Sequence, residues 1–171
     1  LREDGVMFAS IDDHEVDNNY AGLVPEDSQT AAEFAQRRAN SYQVYAETMP
    51  LRPSVHENKG TINLYRSLRF GDLAEFFVLD TRQERSDQPC GDGFQVLQAC
   101  PDILSPNATM MGNKQEAWLF RNLKNSRATW NAIAQQVMMM RWNLGVLMPP
   151  FDIFNVDAWD GYQAARDRVT A

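Results

Sequence analysis

Residues Ile11-Asp12-Asp13-His14-Glu15-Val16-Asp17-Asn18-Asn19 put carboxylates, amides and a single imidazole into one short run. Oxygen donors in that density suit hard cations such as Ca²⁺, Mg²⁺ or Mn²⁺. The imidazole among them can bind a borderline metal or donate a proton to a departing group. Together these are the groups that metal-assisted phosphate chemistry requires. The plainer alternative is a solvated acidic turn. Asp80-Thr81-Arg82-Gln83-Glu84-Arg85 is a second polar cluster. Its acid and two arginines can orient a metal-ligand shell or a substrate phosphate, or they can pair simply to pin a loop.

Each cluster follows an apolar run. Residues 6–11 are mostly apolar and predict a buried strand, which sets the first cluster at a strand's C-terminal end. Residues 64–70 and 73–79, around Gly71-Asp72, predict a β-hairpin whose second strand leads into Asp80. Open α/β sheets place ligands at such strand ends. Between the clusters, Thr30-Ala31-Ala32-Glu33 has capping-box spacing and predicts a helix to about Thr48, with Phe34, Tyr42 and Tyr45 inward and Pro50 and Pro53 beyond its end. Residues 55–61 are polar and loop-like. A long loop is expected over 86–111, rich in Gly, Pro, Asp and Gln. A capped helix should start at Asn113-Lys114-Gln115-Glu116 and run to about Lys124, with Trp118 and Leu119 facing the core. A buried strand is expected at 137–140, where the Met run suits core better than a soft-metal site. A final helix is expected over 163–169.

With 171 residues, 44% hydrophobic and 11% aromatic, the chain has the size and composition of one globular domain. No stretch approaches the roughly 20 apolar residues that cross a bilayer. The start, Leu1-Arg2-Glu3-Asp4-Gly5, lacks the basic flank and apolar segment of a signal peptide and is expected to be a mature or internal one. The net charge is −7, from 23 acids against 16 bases. No basic stripe is present for nucleic-acid backbones. Cys90 and Cys100 are the only cysteines, and their spacing is compatible with a small-loop disulfide in an oxidising compartment or with two free thiols. Asn107-Ala108-Thr109 is a glycosylation sequon, a triplet that also arises by chance.

Seven motifs, in order, resemble those of PhoD-like alkaline phosphatases. They are Asp12-Asp13-His14-Glu15-Val16-Asp17-Asn18-Asn19, Met49-Pro50-Leu51-Arg52, Phe70-Gly71-Asp72-Leu73-Ala74-Glu75, Leu79-Asp80-Thr81-Arg82-Gln83, Asp87-Gln88-Pro89-Cys90-Gly91-Asp92-Gly93, Gln135-Gln136-Val137 and Asp157-Ala158-Trp159-Asp160-Gly161-Tyr162. The resemblance implies an α/β fold, a metallophosphoesterase-type β-sandwich flanked by helices. It also implies secreted or periplasmic hydrolysis of phosphate monoesters or diesters by metal-activated water, with Ca²⁺ and Fe³⁺ as cofactors.

By the same resemblance Asp13 stands at a metal-bridging position, and His14 contacts a phosphoryl oxygen or protonates the leaving group. Asp12, Glu15 and Asn18 support the metal, Arg82, expected with His14 to be catalytic, and Asp80 lie at the site rim, and Cys90 and Cys100 match the family's loop cysteines. Family members carry a Cys and an Asp-Tyr ligand segment upstream and a Gly-Asp-x-His segment downstream, and neither occurs here. Residues 1–171 are therefore expected to be the central portion of one catalytic domain. Flanking segments of the same polypeptide, or a second chain, would complete the site. The rival expectation is a catalytically incomplete relative with a structural or weak cation-binding role.

Overall fold

The computed structural model describes residues 9–51, 57–58 and 60–171. Helix α1 (Ala31–Thr48) forms as its sequence predicts. The Thr30 hydroxyl accepts the Glu33 N–H and Glu33 accepts the Thr30 N–H, closing the capping box. Phe34, Tyr42 and Tyr45 are buried against Ile11, Val16, Tyr20, Ile62 and Leu64, so the helix is the floor on which the acidic cluster rests. Two short strands, β1 (Glu57–Asn58) and β2 (Thr61–Ile62), pair antiparallel where a loop was expected.

Strands β3 (Arg66–Phe70) and β4 (Ala74–Val78) make the expected hairpin, with Gly71 at φ +55° in its turn. Helix α2 (Gly112–Asn125) then crosses over to β6 (Trp130–Ala134), which runs parallel to β4. Phe77 and Leu79 pack with Leu119, Trp159 and Tyr162 in the core of this unit. Between β4 and α2 the expected loop contains β5 (Phe94–Val96), two 3₁₀ turns and a disulfide joining Cys90 to Cys100. Strand β5 pairs with β7 (Ile153–Asn155), and α3 (Gln163–Thr170) ends the chain. The result is a mixed α/β arrangement of small sheets and three helices among the described residues. None of these helices is long and apolar enough to cross a membrane.

Three further sequence expectations are corrected. Residues 6–8 lie outside the described residues, and 9–11, the rest of the expected first strand, are not in a strand. Their tie to the sheet is through side chains: Ser10 donates to the Leu79 carbonyl at 3.2 Å, and Gln136 donates to the same carbonyl at 2.7 Å and to Ser10. The first cluster thus still lies beyond the C-terminal ends of the parallel pair β4 and β6. The strand expected at 137–140 is instead at Trp130–Ala134, and Met138 and Met140 are exposed. The ladder ends at Ala134, and farther on the Met138 carbonyl accepts the Trp159 N–H at 3.2 Å. Helix α2 starts at Gly112 rather than at Asn113, with Met111 at its N-cap and the Gly112 N–H donating to the Thr109 hydroxyl at 2.9 Å.

Candidate functional site

Residues 12–19 form a compact turn closed by their own hydrogen bonds. The Asp13 carbonyl accepts the N–H groups of Val16 and Asp17, both at 2.8 Å. The Asp13 carboxylate accepts the Asn19 N–H at 3.0 Å, and Glu15 accepts the Asp12 N–H at 3.0 Å. Asn19 closes the turn at φ +48°, a conformation that asparagine tolerates better than most residues. Val16 points into the core and Asp17 pairs with Arg37 at 3.1 Å. These inward contacts push His14, Glu15 and Asn18 outward into solvent. The His14 side chain is 81% exposed, with Nε2 at 3.7 Å from Asp13 Oδ2. Asn18 donates to Glu26.

Beneath the turn lies a buried cluster of charge. Arg82, which the resemblance places at the site rim, is only 1% exposed. Its Nε donates to Asp12 Oδ1 at 2.8 Å, and Nη1 and Nη2 donate to the two oxygens of Asp157 at 2.7 and 2.8 Å. Arg85 donates to Asp157 Oδ1 at 2.8 Å and to the Asp157 carbonyl, while its guanidinium lies 4.9 Å from the centre of the Tyr162 ring. Gln88 donates to Asp157 Oδ1 at 2.9 Å and to the Asn19 carbonyl. Asp80 sits below as a buried turn-former, its Oδ1 accepting the N–H groups of Arg82 and Gln83 at 2.9 and 3.0 Å.

The electrostatics follow from this packing. Burial alone would raise the Asp157 carboxyl, but the hydrogen bonds and charges of Arg82 and Arg85, with Gln88, outweigh it and hold the group below the ordinary carboxylate range. Burial raises Asp12 even against the neighbouring Arg82, and it raises Asp80 against its three hydrogen-bond donors. Asp157 therefore stays ionised as the common anion of two buried guanidiniums.

The fold brings Asp12, Asp13, His14, Glu15 and Asn18 together on one turn and sets Arg82 behind them. Cys90 and Cys100 form the loop disulfide. Sequence reasoning flagged Arg85 only as the second arginine of the Asp80–Arg85 cluster, and it did not single out Asp157 or Gln88 as site residues. The signal for these two was that Asp157 opens the Asp-Ala-Trp-Asp-Gly-Tyr motif and Gln88 lies in the Asp87–Gly93 motif. Among the described residues no group of three or more His, Cys, Asp or Glu side chains is arranged to hold a metal ion. Asp12 and Asp13 are engaged by Arg82 and by the Asn19 N–H, so these residues do not by themselves fit a metal ion.

Comparison with known proteins places these features in a family. A family model described as PhoD-like phosphatase matches residues 3–171. Alkaline phosphatase D of Bacillus subtilis (strain 168) is 48% identical over 158 residues, which is 92% of this chain and 26% of that protein. A solved structure described as "Structure of PhoD" superposes with a TM-score of 0.86 at 47% identity, covering 92% of this chain and 30% of that one. The chain thus spans between a quarter and a third of the length of the relatives it matches.

Proposed function

The chain belongs to the PhoD-like phosphatase family, and from that premise we propose that the protein hydrolyses phosphate esters, with His14 as the acid-base group of the site. The observation that carries this reading is the contrast within one turn. Asp13, Val16 and Asp17 are buried and bonded, while the imidazole between them faces solvent, where an ester can reach it. A group so placed can hydrogen-bond a phosphoryl oxygen or give a proton to the departing alkoxide, a contribution of about 10² to 10⁴ in rate. Arg82 does not touch substrate in this reading. It holds Asp12, and through Asp12 the start of the turn. Both monoesters and diesters are substrates of the class we propose.

Residues 1–171 are, in the same proposal, the central part of one catalytic domain with a metallophosphoesterase β-sandwich. Metal dependence, on Ca²⁺ and Fe³⁺ by the resemblance, then requires donors from outside the described residues, from flanking segments of the same polypeptide or from a second chain. Asp13, with Asp12, Glu15 and Asn18 around it, would add oxygens to such a shell. The disulfide suits a secreted or periplasmic protein.

The engagement of Asp12 and Asp13 by protein donors favours a second reading, a catalytically incomplete relative with a structural or weak cation-binding role. Two measurements separate the readings. Turnover of p-nitrophenyl phosphate and its bis-ester, with and without His14→Ala, tests the catalytic one. Metal analysis of the purified protein tests the shell: the first reading expects bound iron and calcium, and the second expects no iron.

A further inference from the structure

Asp157 lies on neither the turn nor its floor, yet both ends of the turn lead to it. Through Arg82, which it grips with both oxygens, it reaches the Asp12 carboxylate at the turn's first residue. Through Gln88 it reaches the Asn19 carbonyl at the turn's last. Its Oδ1 accepts from Arg82, Arg85 and Gln88 together. Arg85 in turn fixes Asp157 by its side chain and its backbone carbonyl, and Tyr162 packs under that guanidinium. A carboxylate used only to neutralise a buried arginine needs one partner. This one takes two charges and an amide, and two of those three donors or their side chains go on to opposite ends of the same eight-residue turn.

We infer that Asp157 is a positioning residue, the single anchor that fixes the turn bearing His14 by both of its ends. The inference rests on the proposed catalytic role of that turn for its functional consequence, but its structural content stands apart from it. The two arms differ in what they carry: the Arg82 arm is a buried ion pair, and the Gln88 arm is a neutral amide bridge. Gln88 is the arm that can be cut without leaving a buried charge unpaired.

The test compares wild type with Gln88→Leu and Asp157→Asn by hydrogen exchange resolved to single amides, alongside turnover of p-nitrophenyl phosphate. Gln88→Leu leaves both arginines paired and should fold. The Asn19 and Tyr20 amides are expected to exchange about ten-fold faster, the loss of roughly one hydrogen bond, with α2 unchanged. Asp157→Asn, where folded, should speed exchange at both ends of the turn. In Gln88→Leu, kcat is expected to fall several-fold with KM held, since the ester still binds and only the geometry of the step is disturbed. Unchanged exchange across 12–20, or exchange raised equally in α1 and α2, overturns the inference. Local loosening with full turnover supports the anchor and overturns the catalytic reading of the turn.

Discussion

Arg82 meets Asp157 as a bidentate pair, both terminal nitrogens on both carboxylate oxygens at 2.7 and 2.8 Å, across 75 positions of sequence. The planar fork of a guanidinium matches a carboxylate in a way that an ammonium cannot. Arg82→Lys keeps the charge but gives up the fork and the Nε contact to Asp12. It should cost about 3 kcal/mol, near the loss seen when a buried pair is broken from one side. Urea unfolding measures this, and an unchanged midpoint would mean that the pair contributes nothing to the fold.

Asp92 gives a pH signature of opposite sign to Asp157. Burial, together with Glu26, Asp157 and Asp87, pushes its carboxyl up to about 6 from 3.8, with Arg85 opposing. Its Oδ1 has no hydrogen-bond partner. The folded protein therefore binds this proton more tightly than the unfolded chain, so its contribution to stability falls as pH rises from about 4 to about 6 and is level above. Asp92→Asn should raise the urea midpoint at pH 8 and leave it unchanged below pH 4. An equal gain at both pH values would contradict the assignment.

Tyr162 sets an upper limit on the alkaline side. Burial pushes its hydroxyl up to about 12 from 10, and the hydroxyl donates to the Ser86 carbonyl at 2.7 Å. A raised folded pKa means stability that is complete below pH 10 and lost as pH rises toward 12. Tyr20 and Tyr42, whose hydroxyls meet at 2.8 Å, are raised in the same direction, both chiefly by burial. Alkaline titration followed by phenolate absorbance should show these tyrosines ionising late and together with unfolding. Tyr162→Phe should make stability less sensitive to pH over that window. A chain whose tyrosines all titrate near 10 while still folded would rule this out.

How much of this was legible in sequence depends on distance. The capping box of α1 and the Gly71-Asp72 hairpin are local signals, complete within a few residues, and both elements form as read. The Val137–Met140 expectation failed because apolar content was taken for burial. The partner of the Met138 carbonyl is a Trp159 N–H that no window around Met138 contains. Arg82 fails in the same way as a rim residue, since the carboxylate that draws it inside lies 75 positions on. The acidic turn was legible because its chemistry sits in one segment, whereas its anchor is assembled from three.

Gly161 is the tightest backbone approach in the Asp-Ala-Trp-Asp-Gly-Tyr motif. A Cβ built there would lie 2.0 Å from the Val156 carbonyl oxygen and 2.7 Å from its carbon. Neither atom can yield without moving the chain beside Asp157. Gly161→Ala should destabilise by about 3 kcal/mol, at the upper end of overpacking costs. Thermal unfolding reads the loss, and a wild-type midpoint would show that the 3₁₀ turn Trp159–Tyr162 is looser than its packing implies.

The central claim is that the solvent-facing imidazole on an anchored acidic turn takes part in ester hydrolysis. The most direct measurement is kcat for p-nitrophenyl phosphate in wild type and His14→Ala, with metal content and the unfolding midpoint recorded for both. His14 is exposed, with Asp13 at 3.7 Å, so its removal should leave the fold and the metal content as they were. The account predicts a fall in kcat of about 10² or more. Turnover within two-fold of wild type, at equal stability and metal content, would contradict it.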